Sequence, residues 1–253
     1  MKTNNNNIFF ISIFFTWFIV NLILIYSIDN LTRLNASADV ASWLEPAKSI
    51  FFTNSFFYNT EYANQAIYRS PIIPIILGYS FKFAENFSFT PFILFQITAA
   101  GLTSLILLKM IEDKSTILKA FLISTFLFNP NLISSIHLVQ SEILTMFFFI
   151  CSFYFVSEYL KNKNKLRNSF LSGIFLGIAV LTRPSIIFLL FILPLVFYTH
   201  QCSGLYDFLK IKKKYLNLFH GIISILVGIL VMFPWANFVK SIEGEYSITA
   251  AET

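Results

Sequence analysis

Charge is scarce in this 253-residue chain: 12% of its residues are Asp, Glu, Lys or Arg, against 56% hydrophobic residues and a mean hydropathy of +0.70. Soluble domains keep roughly a quarter of their residues charged, so a water-soluble class is excluded. Two cysteines are too few for a disulfide framework. Cys151 falls in an apolar segment and Cys202 in a basic loop, so no pairing between them is expected. His137 has no ligand-type residue at metal spacing beside it and reads as an interfacial histidine. No internal repeat is visible. No small-residue cleavage site follows the apolar stretch from Ile8 to Ser27, which reads as an uncleaved signal anchor. A net charge of +5 would suggest an anionic partner in a soluble chain. Here the lysines have a topological use, and nucleic acid is not expected.

What the chain has in abundance is phenylalanine, 32 of them, and long apolar runs. These predict an all-α, polytopic transmembrane bundle of about seven spans, near 8–27, 90–110, 118–136, 142–160, 169–182, 185–200 and 217–236. The whole reads as one membrane module: 1–27 the anchor and first span, 28–89 an outer loop with juxtamembrane helices, 90–240 six further spans, and 241–253 a truncated outer loop. The apolar segment 70–85 is short and carries Lys82 and Glu85, which fits a helix lying along the interface. With that choice the loops 109–119, 161–168 and 201–216, together with Lys2, place twelve of the eighteen basic residues on the N-terminal side. By the positive-inside rule that side is cytoplasmic.

The opposite face then collects isolated ionisable residues, among them Asp39, Glu45, Arg69, Glu142 and Arg183, an arrangement suited to an anionic, amphipathic ligand. Arg183 is the only formal charge in the run from Ser169 to Tyr198 and is followed by Pro184. A central arginine in a span costs ~2.5 to 3.5 kcal/mol even on the lenient insertion scale, so the chain is expected to turn at Thr182-Arg183-Pro184. Asp39 opens the stretch DVASWLEPAKSIFF, whose apolar positions Val40, Trp43, Leu44, Ala47, Ile50 and Phe51 keep helical spacing. Asp39 is then either an N-cap or a catalytic carboxylate, and Glu45 an exposed polar-face residue. Arg69, before the proline-punctuated Ser70-Pro71-Ile72-Ile73-Pro74, is either a snorkelling anchor or an anion ligand. Glu142 opens a span, where a carboxylate also suits the helix dipole. Gly173 and Gly177 read as a close helix-packing face, and Trp235 as an interfacial aromatic.

In order, these segments resemble the GT-C superfamily of membrane glycosyltransferases, in the bacterial branch akin to protein O-mannosyltransferases and the lipid A aminoarabinose transferase. The likeness rests on Asp39, Tyr68-Arg69-Ser70-Pro71 with Pro74, Asn129-Pro130 with Ser141-Glu142, Gly173 to Gly177 with Arg183-Pro184, and Phe233-Pro234-Trp235. It implies a polyprenyl-phosphate-linked sugar as donor, used on the periplasmic or lumenal face of the membrane, with a lipid, glycan or protein hydroxyl as acceptor. By the same likeness Asp39 is the catalytic candidate, as general base or acceptor-orienting group, Arg69 and Arg183 hold the donor phosphate, and Glu142 positions substrate or helps coordinate a divalent cation. No other cofactor is implied. The family continues with further spans after the proline-tryptophan element, whereas this chain stops at Thr253, so an incomplete catalytic module is expected as readily as an active enzyme. The competing class is a non-enzymatic membrane protein, a lipid-linked sugar translocator or inactive remnant. A translocator would place polar groups through the midplane of its helices, whereas the ionisable residues here stay at the ends.

Overall fold

The computed structural model describes residues 2–29, 33, 39–55, 69–161, 164–199 and 215–247. Every regular element among them is helical: α1 (Lys2–Ser27), α2 (Asp39–Thr53), α3 (Ile72–Ala84), α4 (Thr90–Met110), α5 (Thr116–Leu127), α6 (Pro130–His137), α7 (Glu142–Leu160), α8 (Lys165–Thr182), a 3-10 turn (Pro184–Ile186), α9 (Phe188–Thr199) and α10 (Tyr215–Glu243). The chain divides into two compact units, Met1–Phe147 and Phe148–Thr253, with the boundary inside α7.

Among the described residues four helices are long and apolar enough to cross a membrane: Phe9–Ser27, Thr90–Met110, Glu142–Leu160 and Asn217–Ile242. The pair α5 and α6 makes a fifth if it counts as one broken span, bent by 45°. The segment read as a single span over 118–136 is therefore interrupted. Asn129 causes the break: its Oδ1 accepts from the Asn131 amide at 2.9 Å and from the Leu132 amide at 3.4 Å, and Pro130 fills the first helical position. The stretches 169–182 and 185–200 fall short for different reasons. α8 begins on the polar Lys-Leu-Arg-Asn-Ser. α9 has 12 residues, about 18 Å of helix against a hydrocarbon layer of about 30 Å.

In the first unit, from Phe9 on, α1 buries the narrow stripe Trp17, Asn21 and Ile25, and exposes Phe9, Ile11, Phe15, Phe18 and Ile23. An apolar exterior around a mixed interior is the pattern expected of a helix bathed in lipid. That stripe faces the bundle of α4, α5 and α6. The α2 helix does not lay its apolar face on a lipid surface. Val40, Trp43, Ala47 and Ile50 are buried, and a Cβ on Gly78 of α3 would come within 2.8 Å of the Ala47 carbonyl oxygen. Both helices run the same way, since Arg69, before α3, reaches Ser42 at the start of α2, and Lys82, late in α3, bonds to Asn54 just beyond its end.

In the second unit α8 and α9 both pack on α10. The α8–α10 crossing is made by glycine: a Cβ on Gly173 would lie 2.4 Å from the Ser224 carbonyl oxygen, and one on Gly177 2.8 Å from that of Gly228. Small residues at this spacing let two backbones touch, the standard means of helix association where lipid supplies no hydrophobic drive. A hydroxyl closes the same crossing, Ser224 Oγ donating to the Ser169 carbonyl at 2.7 Å, and another ties α7 to α8, Ser152 Oγ donating to the Ser172 carbonyl at 2.9 Å. The α10 helix continues through Pro234, and Trp235 is buried on it.

Candidate functional site

Of the residues singled out from sequence, Asp39, Arg69 and Glu142 belong to the first unit and Arg183 to the second. Asp39 is the first residue of α2, as the helical spacing predicts, though its side chain is outside the described part, like residues 56–68 that precede Arg69. Arg69 is half-buried, and its Nε donates to Ser42 Oγ at 2.9 Å. Ser42 is three residues after Asp39 and so on the same face of α2, one turn on. The bond therefore ties the guanidinium to the turn that Asp39 opens. It also sets the N-termini of two parallel helices side by side. Ile72 and Ile73, the first residues of α3, carry amides that an α-helix leaves without an intrahelical acceptor. Two positive helix ends and a guanidinium favour an anion there.

Glu142 opens α7 and is exposed. Glu45 is exposed as well and pairs with Lys48 at 2.9 Å, as its place on the polar face of α2 predicts. In the second unit Arg183 is exposed, with extended backbone at φ −146° and ψ 100°, and its amide closes α8 by donating to the Ala179 carbonyl at 2.9 Å. Pro184 is the reason, because its ring drives the preceding residue out of the helical region. The apolar run breaks where Thr182-Arg183-Pro184 predicts.

The structure adds a polar node that the sequence analysis missed. His137 is buried rather than interfacial, 1% exposed, and its Nε2 lies 3.0 Å from Asn21 Oδ1. Asn21 Nδ2 donates to the Trp17 carbonyl at 2.8 Å, which fixes Oδ1 as acceptor and makes His137 Nε2 the protonated ring nitrogen. Gln96 Nε2 donates to the carbonyls of Ile136 and Leu138, at 3.1 and 2.7 Å. Three helices, α1, α4 and α6, are thereby joined around residues 136–138, close before Glu142. The available signal was a carboxamide in the middle of an apolar span, at Asn21 and again at Gln96. Arg33 is buried too, 2% exposed, and its Nη2 donates to the Ile25 carbonyl in the last turn of α1 at 2.7 Å. It caps that helix. Burial pulls its pKa down and the charge of Asp29 opposes the shift; a guanidinium stays charged regardless.

Among the described residues no three His, Cys, Asp or Glu gather to hold a metal ion. Set against protein-family models, curated proteins and solved structures, the chain has no match in any of the three.

Proposed function

We propose that this chain is an integral membrane glycosyltransferase of the GT-C kind, moving a sugar from a polyprenyl-phosphate donor to an acceptor hydroxyl at the outer face of a bacterial inner membrane, with about seven spans in all. The bond from Arg69 Nε to Ser42 Oγ carries the reading, because it sets a phosphate-competent guanidinium beside the turn that begins at Asp39. The acceptor oxygen attacks the anomeric carbon as the carbon–oxygen bond to phosphate breaks, and Asp39 takes the hydroxyl proton. Arg69 holds the departing polyprenyl phosphate by charge-assisted hydrogen bonds, for which a guanidinium fork fits the phosphate oxygens, and the family resemblance gives Arg183 a phosphate-binding role as well. Glu142 orients sugar or acceptor hydroxyls or shares a divalent cation. A phosphate leaves without a separate general acid, so a second carboxylate across the bond is not required.

The test is transfer of radiolabelled sugar from polyprenyl-phosphate donors to membrane acceptors by the purified chain, with Asp39→Asn, Arg69→Ala and Arg183→Ala alongside. Transfer lost in all three, with melting behaviour unchanged, is the expected result. Equal transfer by wild type and Asp39→Asn would remove Asp39 from the chemistry. No transfer by any of them would favour the non-enzymatic reading.

A further inference from the structure

Between α3 and α4 lies a groove of about 480 Å³, open at the surface and lined by Ile76, Tyr79 and Phe83 on one side and Pro91, Phe95 and Thr98 on the other. That volume is within the roughly 300 to 1,000 Å³ of ordinary ligand clefts. Each wall is a helical face at i, i+3/i+4, i+7 spacing, and Phe83 is 84% exposed. The serine and threonine hydroxyls in the lining make no demand on an occupant. Ser80 Oγ donates to the Ile76 carbonyl at 2.7 Å and Thr98 Oγ1 to that of Leu94 at 2.8 Å, each within its own helix. Walls that are mostly aliphatic and aromatic, with these two hydroxyls turned to their own backbones, suit an alkyl chain. From Ile76 to Phe83 the α3 wall is about 10 Å long, at 1.5 Å per residue, enough for part of one chain.

The charge at the groove's edge says what that chain is attached to. Lys82 Nζ stands 5.6 Å from the centre of the Tyr79 ring, which lines the groove, and hydrogen-bonds Asn54 Oδ1. An ammonium has three donors, and among the described residues no carboxylate pairs with this one. Glu85, the nearest acid along the chain, ends α3 in the left-handed conformation and is exposed. We propose that the α3–α4 groove holds one acyl chain of an anionic phospholipid whose phosphate pairs with Lys82, so that a bilayer lipid completes the packing of the short α3 helix against α4. At 13 residues α3 is too short to cross the bilayer, and the lipid fastens it to a helix that is long enough.

Trp17, Trp43 and Trp235 are all buried, so a tryptophan placed in the groove by Tyr79→Trp would dominate quenching by lipid. The full-length variant is reconstituted in phosphatidylcholine and titrated with phosphatidylglycerol brominated on its acyl chains. Expected is saturable quenching at a low mole fraction, with the midpoint raised severalfold by adding Lys82→Gln. Brominated phosphatidylcholine should quench only in proportion to its bulk fraction. Quenching that rises linearly with both lipids would sink the proposal, because any lipid-facing position behaves that way. Equal midpoints with and without Lys82→Gln would remove the phosphate pairing and overturn it equally. Full reversal of the quenching by equimolar unbrominated polyprenyl phosphate would reassign the groove to an isoprenoid. Thr98→Phe, which fills the groove from the α4 side, should abolish saturation in the Tyr79→Trp background, and saturation that persists there also counts against the groove.

Discussion

Replacing Gly173 by alanine adds a single methyl group at the tightest point between α8 and α10. That methyl would lie 2.4 Å from the Ser224 carbonyl oxygen, where ordinary contact begins near 3.4 Å, so the helices must part by about 1 Å. Ser224 Oγ bonds to the Ser169 carbonyl one turn away at 2.7 Å, and parting the helices stretches that bond too. Overpacking of this sort costs typically about 1 to 3 kcal/mol, and a strained hydrogen bond adds about 1. Against this, alanine gains about 1 kcal/mol over glycine in a helix interior. The net is a loss of about 1 to 3 kcal/mol, which for a chain of this size lowers Tm by roughly 2 to 4 °C per kcal/mol. Thermal unfolding in mild detergent measures it. Gly101→Ala is the internal control, because its methyl would meet only ring carbons of Trp17 at 3.5 and 3.8 Å. It should leave Tm unchanged or raise it. A Gly173→Ala protein that melts with or above Gly101→Ala would refute the close crossing.

Tyr159→Phe should destabilise the second unit by about 1 to 3 kcal/mol, seen as a lower Tm, because the lost hydroxyl bonds Asn217 Oδ1 at 2.8 Å and lies 3.1 Å from His220 Nδ1, both buried. Gln96→Leu, nearly the same volume, should cost about 2 to 5 kcal/mol by leaving the Ile136 and Leu138 carbonyls without their shared donor. In hydrogen exchange its effect should concentrate in α6 and the start of α7, and an exchange pattern identical to wild type there would count against the node.

Much of the local structure was legible in the sequence because it is fixed by neighbours in the chain. Pro184 forces Arg183 out of a helix, the stripe from Val40 to Ile50 demands a buried face, and the Gly173–Gly177 pair has one economical use. The Asn129-Pro130 break was equally local, a capping side chain followed by a residue that favours a helix start, yet the apolar run 118–136 masked it. Hydropathy measures how greasy a segment is and not whether its helix is continuous. The same averaging hides how short α9 is. The node of Asn21, Gln96 and His137 was out of reach for another reason. Its bonds join residues 40 to 116 apart along the chain, which only the fold brings within hydrogen-bonding distance. The candidate site shows the same division: each residue type was visible, whereas the docking of Arg69 on Ser42 came only from the packing of α2 on α3.

Gly228 fixes how Arg183 is presented. A Cβ there would meet Leu190 Cδ2 of α9 at 2.6 Å, and the carbonyl oxygen of Gly173 on α8 at 3.3 Å. The segments before and after the arginine are thus seated on the same residue of α10. A bend with both arms pinned to one point is a corner bracket and not a hinge: to swing α9 away from α8, either the Leu190 side chain or the Gly173 backbone must leave Gly228. Arg183 therefore changes its reach by turning its own side-chain bonds, with the main chain beneath it held still.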